Sequence, residues 1–331
     1  MPSDSHRVAI LCEFGSVNGG EHSLLALIPA IRDRGWDPVV VAPAVGELAE
    51  VLAARKIEHV DFSVNDNRDN AVERLEELLG KCGAGLLHAN SLSMSRLSGR
   101  LARRTGRPTT GHLRDILNLS TAALEDINTN RRLLAVSHAT RDHHVAAGLD
   151  PDRTRVVYNG IDPAQFRNPV RPSGWLKREL NITRPSLLVA TIGQIGLRKA
   201  LDVLAEAATR VETEIDYLVI GERLSQKAES VVFEDAVFAR FEDSAPSGRI
   251  HRLGYRRDIP ELLAEIDLLV HPARQEPLGR VLLEAARRPR DPGPRRGRYR
   301  EILTDGPRRS WCPPTTPPRW PTNWGWRPTR T

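Results

Sequence analysis

Short β-rich apolar runs alternate with helix-patterned segments along most of this chain, and that rhythm constrains the fold more than any other feature. The runs are RVAILC, PVVVAP, IEHVDF, LLHAN and LLAVS, followed by SLLVATIG, DYLVIG, RIHRLG and IDLLVHP. Strand, helix and strand in succession require crossover connections, so the expected class is α/β with parallel sheets. After the first run, Leu24, Leu27, Ile28 and Ile31 recur at three- and four-residue steps, an apolar stripe that can pack on a sheet; Pro29 lies inside this helix and Gly35 supplies its stop. Between the two series, Asn159, Gly160 and Pro163 mark a turn, and Pro169, Pro172 and Gly174 break regular structure. The expected organisation is a doubly wound domain over 1–163, a linker over 164–186, a second doubly wound domain over 187–306 and an irregular tail over 307–331. Ligands of such sheets bind in crevices at the carboxyl ends of the strands, and the cleft between the two domains is the expected site.

With 331 residues, 27% charged and 40% hydrophobic, the chain is long enough for two cores and too apolar for wholesale disorder. No window approaches the roughly 18 consecutive apolar residues of a membrane span, and MPSDSHRVAILCEF carries no signal-peptide pattern, so a soluble, cytoplasmic protein is expected. Cys12, Cys82 and Cys312 are odd in number and widely spaced, which suggests neither a disulfide framework nor a zinc knuckle. The net charge of +6 is unevenly distributed. Residues 287–331 hold twelve arginines and no lysine against three acidic residues, a local balance of +9 that leaves the body at −3. The same segment holds ten of the 24 prolines and four of the six tryptophans, a composition unlike anything before Ala286.

Three loops carry residue types suited to chemistry. EFGSVNGGEHS joins a strand to a helix and sets Gly15, Gly19 and Gly20 where backbone can approach a ligand; amides at the helix start attract phosphate or developing negative charge. A tight turn alone would account for such a loop equally well. TIGQIGLRKA ends a strand at Gly193 and places Arg198 and Lys199 before a helix, two cations that could neutralise a diphosphate, or equally a solvated helix start. QEPLGRVLLEA sets Glu276 and Glu284 eight residues apart around a Pro-Leu-Gly turn that should open a helix, with the amides of Leu278 and Gly279 at the turn and Glu284 two turns into the helix. Val281, Leu282 and Leu283 make that helix a buried one, and buried carboxylates need partners.

In content and order, NGGEHSLLALIPAIRDRGWDPVVVAP, GHLRD, VVYNGID, IGQIGLRKA and HRLGYRRDIPELLAEIDLLVHPARQEPLGRVLLEA resemble the retaining glycosyltransferases of family 4 over roughly Val8 to Ala286. The resemblance implies the GT-B architecture, two Rossmann-like domains facing a cleft, with the acceptor on the first and the nucleotide-sugar on the second. It implies catalytic roles for His112, Glu276 and Lys199: His112 near the transferred sugar, Glu276 on the sugar hydroxyls, Lys199 on the diphosphate. Gly19, Gly20, Gly193, Gln194, Arg198, Leu278, Gly279 and Glu284 would complete the donor contacts, Glu284 through the ribose. Many relatives have arginine where this chain has Gln194, and Arg198 could compensate with a bidentate phosphate contact. Arg114 and Asp115 could orient His112, although Asp115 is equally plausible as a helix cap; His88 and Asn90 are acceptor-pocket candidates, and Ser137 reads as a cap.

The donor, a UDP-, GDP- or ADP-sugar, would be a substrate, with no cofactor. No Asp-x-Asp motif stands out, so metal independence is expected, and the acceptor would be a glycan, a lipid-linked glycan or a small molecule. Nucleic acid is not an expected partner. Family habit implies envelope or exopolysaccharide assembly, with peripheral association at the inner face of a membrane.

After LLEAA the family pattern calls for a small-residue turn, a strand and a Gly-Gly loop, whereas this chain reads RRPRDPGPRRGRYREILTDG. EILTDG fits the expected helix start at Glu301, but the strand before it is missing and the pattern is lost again beyond it. Arginine, proline, glycine and tryptophan are what a GC-rich gene yields out of frame, which suggests two frame disruptions, one compensated near Tyr299, an incomplete second domain and a catalytically disabled chain as the alternative function. A basic arm for nucleic acid or anionic membrane is the competing reading of the tail.

Overall fold

The computed structural model describes residues 6–64, 68–162, 172–211, 214–244 and 249–286. It divides into two compact units, Met1–Asp162 with Pro277–Arg280 and Pro163–Glu276 with Val281–Thr331. The expected features of the tail, Glu301 included, lie outside the described residues, as does the end of the second domain at 306.

In the first unit β1 (Arg7–Leu11), β2 (Asp37–Ala42), β3 (Glu58–Asp61), β4 (Leu86–Ala89), β5 (Thr109–Leu113), β6 (Arg132–Ala135) and β7 (Thr154–Val156) form one parallel sheet ordered β3-β2-β1-β4-β5-β6-β7. The crossovers are α1 (Gly19–Asp33), α2 (Glu47–Ala54), α3 (Arg68–Cys82), α4 (Leu92–Thr105), α5 (Thr121–Asn128) and α6 (His138–Ala146). Successive side chains of a strand point to opposite faces, and the two cores follow that alternation. Ala9, Leu11, Val39 and Val41 pack with Leu75 and Leu79 of α3 and Leu97 and Leu101 of α4. Val8, Ile10 and Val40 pack with Leu24, Leu25 and Ile28 of α1 and Leu48 and Leu52 of α2.

The stripe of α1 is turned from the expected one: Leu25 joins Leu24 and Ile28 inside, whereas Leu27 is 46% exposed. On a helical wheel residues 24, 25 and 28 span an arc as wide as 24, 27, 28 and 31 but rotated about the axis, so Leu27 falls outside it while Ile31 packs at the edge of the core. Ser137 caps α6 as expected, accepting from Thr140 N at 3.0 Å. Asp115 does not cap the following helix; Ser120 is the N-cap of α5.

In the second unit β8 (Leu187–Ile192), β9 (Ile215–Ile220), β10 (Ile250–Gly254) and the two-residue β11 (Leu268–Leu269) form a parallel sheet ordered β10-β9-β8-β11. Its helices are α7 (Trp175–Glu179), α8 (Leu201–Ala208), α9 (Ala228–Ser244), α10 (Ile259–Glu265) and α11 (Arg280–Ala286). The later part of the segment read as a linker belongs to this unit. Gly174, in the left-handed region at φ 72°, opens α7, and Leu176 and Ile182 join Leu188, Leu218 and Leu262 in one core. The buried Glu265 carboxylate accepts from the amides of Ser173 at 2.6 Å and Gly174 at 2.9 Å, fixing this stretch despite its turn-like composition. No helix among the described residues is long and apolar enough to cross a membrane.

In each sheet the strand order reverses once, between β1 and β4 in the first and between β8 and β11 in the second. At such reversals neighbouring crossovers leave in opposite directions, and the strand carboxyl ends open into a crevice.

Candidate active site

At the second reversal, the loops leaving β8 and β11 converge. Gly193 follows the end of β8, and its φ of 149° disfavours a side chain. A Cβ on Gly221 would lie 2.1 Å from the Gly193 carbonyl oxygen, so the loops after β8 and β9 touch backbone to backbone. Beyond the exposed Gln194, a 3-10 turn over Leu197–Lys199 leads into α8. From that turn Lys199 Nζ reaches Glu276 Oε2 at 2.5 Å, and the same oxygen accepts from His271 Nε2 at 2.8 Å. Burial pushes the Glu276 carboxyl up, but the His271 hydrogen bond and the Lys199 charge outweigh it and bring its pKa down to about 2. The two loops are also clasped together. Arg274 forks onto both Asp202 oxygens at 2.8 and 2.6 Å, and its amide donates to the Arg198 carbonyl at 3.1 Å.

Because the folded pKa of Glu276 lies below the ordinary carboxylate value, its ionisation stabilises the native state above about pH 4.5, and that contribution is lost as pH falls toward about 2. Denaturation of the wild type and Glu276→Gln between pH 3 and 7 should therefore show a stability gap that narrows with acidification. A gap independent of pH would mean that the carboxylate charge is not what the loops hold.

Leu278 is 4% exposed, Gly279 takes a left-handed φ of 75°, and α11 opens directly after it at Arg280. Glu284 is buried at 9% exposure and stands four residues beyond Arg280, about one turn in rather than two.

At the first reversal, α1 begins at Gly19 with Asn18 as its N-cap, whose amide donates to Glu21 Oε2 at 3.1 Å. A Cβ on Gly19 would meet no atom within 4 Å, whereas one on Gly20 would lie 3.2 Å from Arg114 Cδ. Gly20 is thus small for the sake of Arg114, and Gly19 presents the open helix start. The close approach at Gly15 is made by the chain itself: a Cβ there would lie 2.2 Å from the Val45 carbonyl oxygen.

Arg114 organises the crevice. Its guanidinium donates to the Asn90 carbonyl at 2.9 Å, to Asn90 Oδ1 at 2.8 Å and to Asn159 Oδ1 at 2.8 Å. Asn90 in turn donates to the buried Glu21 at 3.5 Å. Burial raises the Glu21 pKa, with the Asn18 amide and the Arg114 charge opposing, and burial lowers that of Arg114 to about 10. Arg114 therefore serves Asn90 and Asn159, while the Asp115 carbonyl bonds His144 Nε2 at 2.8 Å.

His112 is the last residue but one of β5, 5% exposed, and neither of its ring nitrogens has a hydrogen-bond partner among the described residues. Its ring meets that of His88 edge-on at 5.6 Å, and His88 Nδ1 shares a 2.8 Å hydrogen bond with Thr110 Oγ1. Burial, reinforced by Arg114, lowers both imidazole pKa values, His88 to about 4 and His112 well below the ordinary range, so both rings are neutral at pH 7. A buried polar ring with both nitrogens unpaired is costly in a structural core and suits a group reserved for a ligand.

Residues 17–165 match the family described as Glycosyltransferase Family 4, and residues 186–288 match Glycosyl transferases group 1. The chain carries a glycosyltransferase family 4 domain followed by a group 1 glycosyl transferase domain. Among curated relatives, the lipopolysaccharide glucosyltransferase WaaG of Escherichia coli is 26% identical over 170 residues, covering 50% of this chain and 43% of WaaG. An Escherichia coli UDP-Gal:alpha-D-GlcNAc-diphosphoundecaprenol alpha-1,3-galactosyltransferase is 24% identical over 41% of this chain and 35% of that protein. The chain thus spans less than half the length of the curated relatives it matches. The crystal structure of Anabaena HepE in complex with UDP-glucose superposes with a TM-score of 0.74 at 23% identity, over 85% of this chain and 78% of that one, establishing the GT-B fold.

Sequence reasoning placed Lys199 and Glu276 on separate loops but missed their union and the three residues that hold it, His271, Asp202 and Arg274. His271 stands two residues past β11, where a polar side chain at a strand's carboxyl end was a usable signal. The Arg274–Asp202 pair carries no local signal, because its partners lie 72 residues apart.

Proposed function

We propose that this chain transfers a sugar from a nucleotide-sugar donor to a hydroxyl of a glycan, lipid-linked glycan or small-molecule acceptor, with retention at the anomeric carbon. The observation that carries the reading is the Lys199–Glu276–His271 cluster: an ammonium suited to phosphate oxygens beside a carboxylate kept ionised for sugar hydroxyls. In this reading the bond from the anomeric carbon to the diphosphate breaks while Lys199 and Arg198 balance the charge of the departing group. The acceptor oxygen bonds to the same face of the sugar, and its proton passes to the leaving phosphate oxygen. Glu276 accepts hydrogen bonds from the sugar, the Leu278 and Gly279 amides contact sugar and phosphate, and Glu284 receives the ribose. His112 supports the oxocarbenium-like centre, a task that suits a neutral imidazole because an imidazolium would repel the developing positive charge. These cations and amides would carry the leaving group without a metal.

The UDP and UDP-glucose complexes of HepE support UDP-sugars as the first donors to test. The named substrates of the two curated relatives support an envelope glycan acceptor, and with it a cytoplasmic enzyme at the inner face of a membrane. The test is calorimetric titration of the full chain with UDP-, GDP- and ADP-sugars beside Glu284→Ala, followed by NMR of the product anomer. Saturable binding lost in the variant and a product of donor configuration are expected. A folded chain that binds none of the donors would favour the disabled alternative, and an inverted product would overturn retention.

A further inference from the structure

A pocket of about 330 Å³ opens in the first unit at the amino-terminal edge of its sheet, opposite the strand ends that carry His112 and Asn90. Its walls include the end of α4 at Ala102 and Gly106, then Pro108, Thr129 and four arginines, Arg107, Arg131, Arg132 and Arg153. The position follows from the topology. Arg131 and Arg132 lead into β6, Pro108 into β5 and Arg153 into β7, so three adjacent parallel strands start side by side around it. Ladder bonds fix those starts: Arg131 N donates to the Thr109 carbonyl at 2.9 Å and Leu133 N to the Arg153 carbonyl at 2.9 Å.

Among the described residues no acidic side chain lines the pocket. Arg153 is held by the Asn128 carbonyl at 2.9 Å and by Asp150 at 3.1 Å, and Arg107 by the Ala84 carbonyl, so two guanidiniums are anchored in advance. Arg131 and Arg132 are exposed and have no carboxylate partner among the described residues; Arg132 donates only to the Arg131 carbonyl, at 3.2 Å. The carboxyl end of α4 adds about half a negative charge, which four cations outweigh. Like charges gathered in a concavity focus a positive potential, and their mutual repulsion is relieved by an anion. Guanidinium forks match phosphate oxygens in pairs. The volume lies at the small end of the roughly 300–1,000 Å³ of ligand pockets, and no aromatic ring among the described residues lines it to stack a nucleobase.

We propose that this pocket binds a compact soluble anion carrying two or more phosphate groups, at a site separate from the donor site proposed above. Tripolyphosphate is the probe. Calorimetric titration of the full chain, saturated with UDP to occupy any donor site, should show saturable binding that strengthens as salt is lowered. The variant R131A/R132A should bind at least tenfold more weakly while keeping its circular dichroism and its UDP affinity. Equal binding by this variant would overturn the proposal, since the arginine-rich segment after Ala286 would then hold the anion. Retention on phosphatidylglycerol vesicles without saturable tripolyphosphate binding would overturn it in favour of a membrane contact.

Discussion

Lys199→Ala should lower kcat/KM with a nucleotide-sugar donor by about 10²- to 10³-fold, the usual consequence of removing one prepositioned group that stabilises a transition-state charge. The loss should fall mainly on kcat, because negative charge on the diphosphate grows as its bond to the sugar breaks. Lys199→Arg keeps the charge but replaces a compact ammonium by a planar fork, which fits poorly against a single Glu276 oxygen already shared with His271. It should recover part of the activity. A Lys199→Ala chain with wild-type kcat and KM would remove the central premise of the proposed mechanism, whereas a raised KM at wild-type kcat would reduce Lys199 to uniform donor binding.

Arg114→Leu should destabilise the first unit by about 3 kcal/mol, read as a shift in urea midpoint, since it strands three acceptors that the guanidinium now satisfies. Burial of Glu21 adds to the cost, because the nearby positive charge is removed at the same time. Arg114→Lys separates the two effects. An ammonium on that stem supplies the charge but cannot reach Asn90 and Asn159 in one plane, so stability should recover only in part. Full recovery would show that charge, and not the fork, is what the crevice requires.

The architecture was legible in the sequence because strand and helix periodicities are local. Each apolar run quoted above lies on a strand of the structure, and the two series correspond to the two sheets. What was read less well depends on contacts that sequence spacing does not encode. Leu27 shares the helical period of Leu24 and Ile28 but falls outside the arc that the sheet covers. Gly15 looked like a ligand approach and is instead an approach by Val45. Trp175–Glu179 sat in a segment whose prolines and glycines signal a linker, yet Leu176 finds a core and Glu265 caps the backbone from 91 residues away. At the candidate site, residue identities were legible through the family pattern, and the pairing of Lys199 with Glu276 was not, because it joins loops 77 residues apart.

That pairing bears on which anions the chain accepts. Glu276 is a competitor for Lys199 tethered by the protein itself, at an effective concentration on the order of millimolar or above. A dilute monovalent anion offers Lys199 nothing that the carboxylate does not already supply. In the proposed mechanism a diphosphate would bring more than one charge and several acceptor oxygens, and would release Glu276 to a sugar hydroxyl while His271 still holds it. In that mechanism discrimination among anions would be set by a side chain of the protein as much as by the shape of the glycine loop.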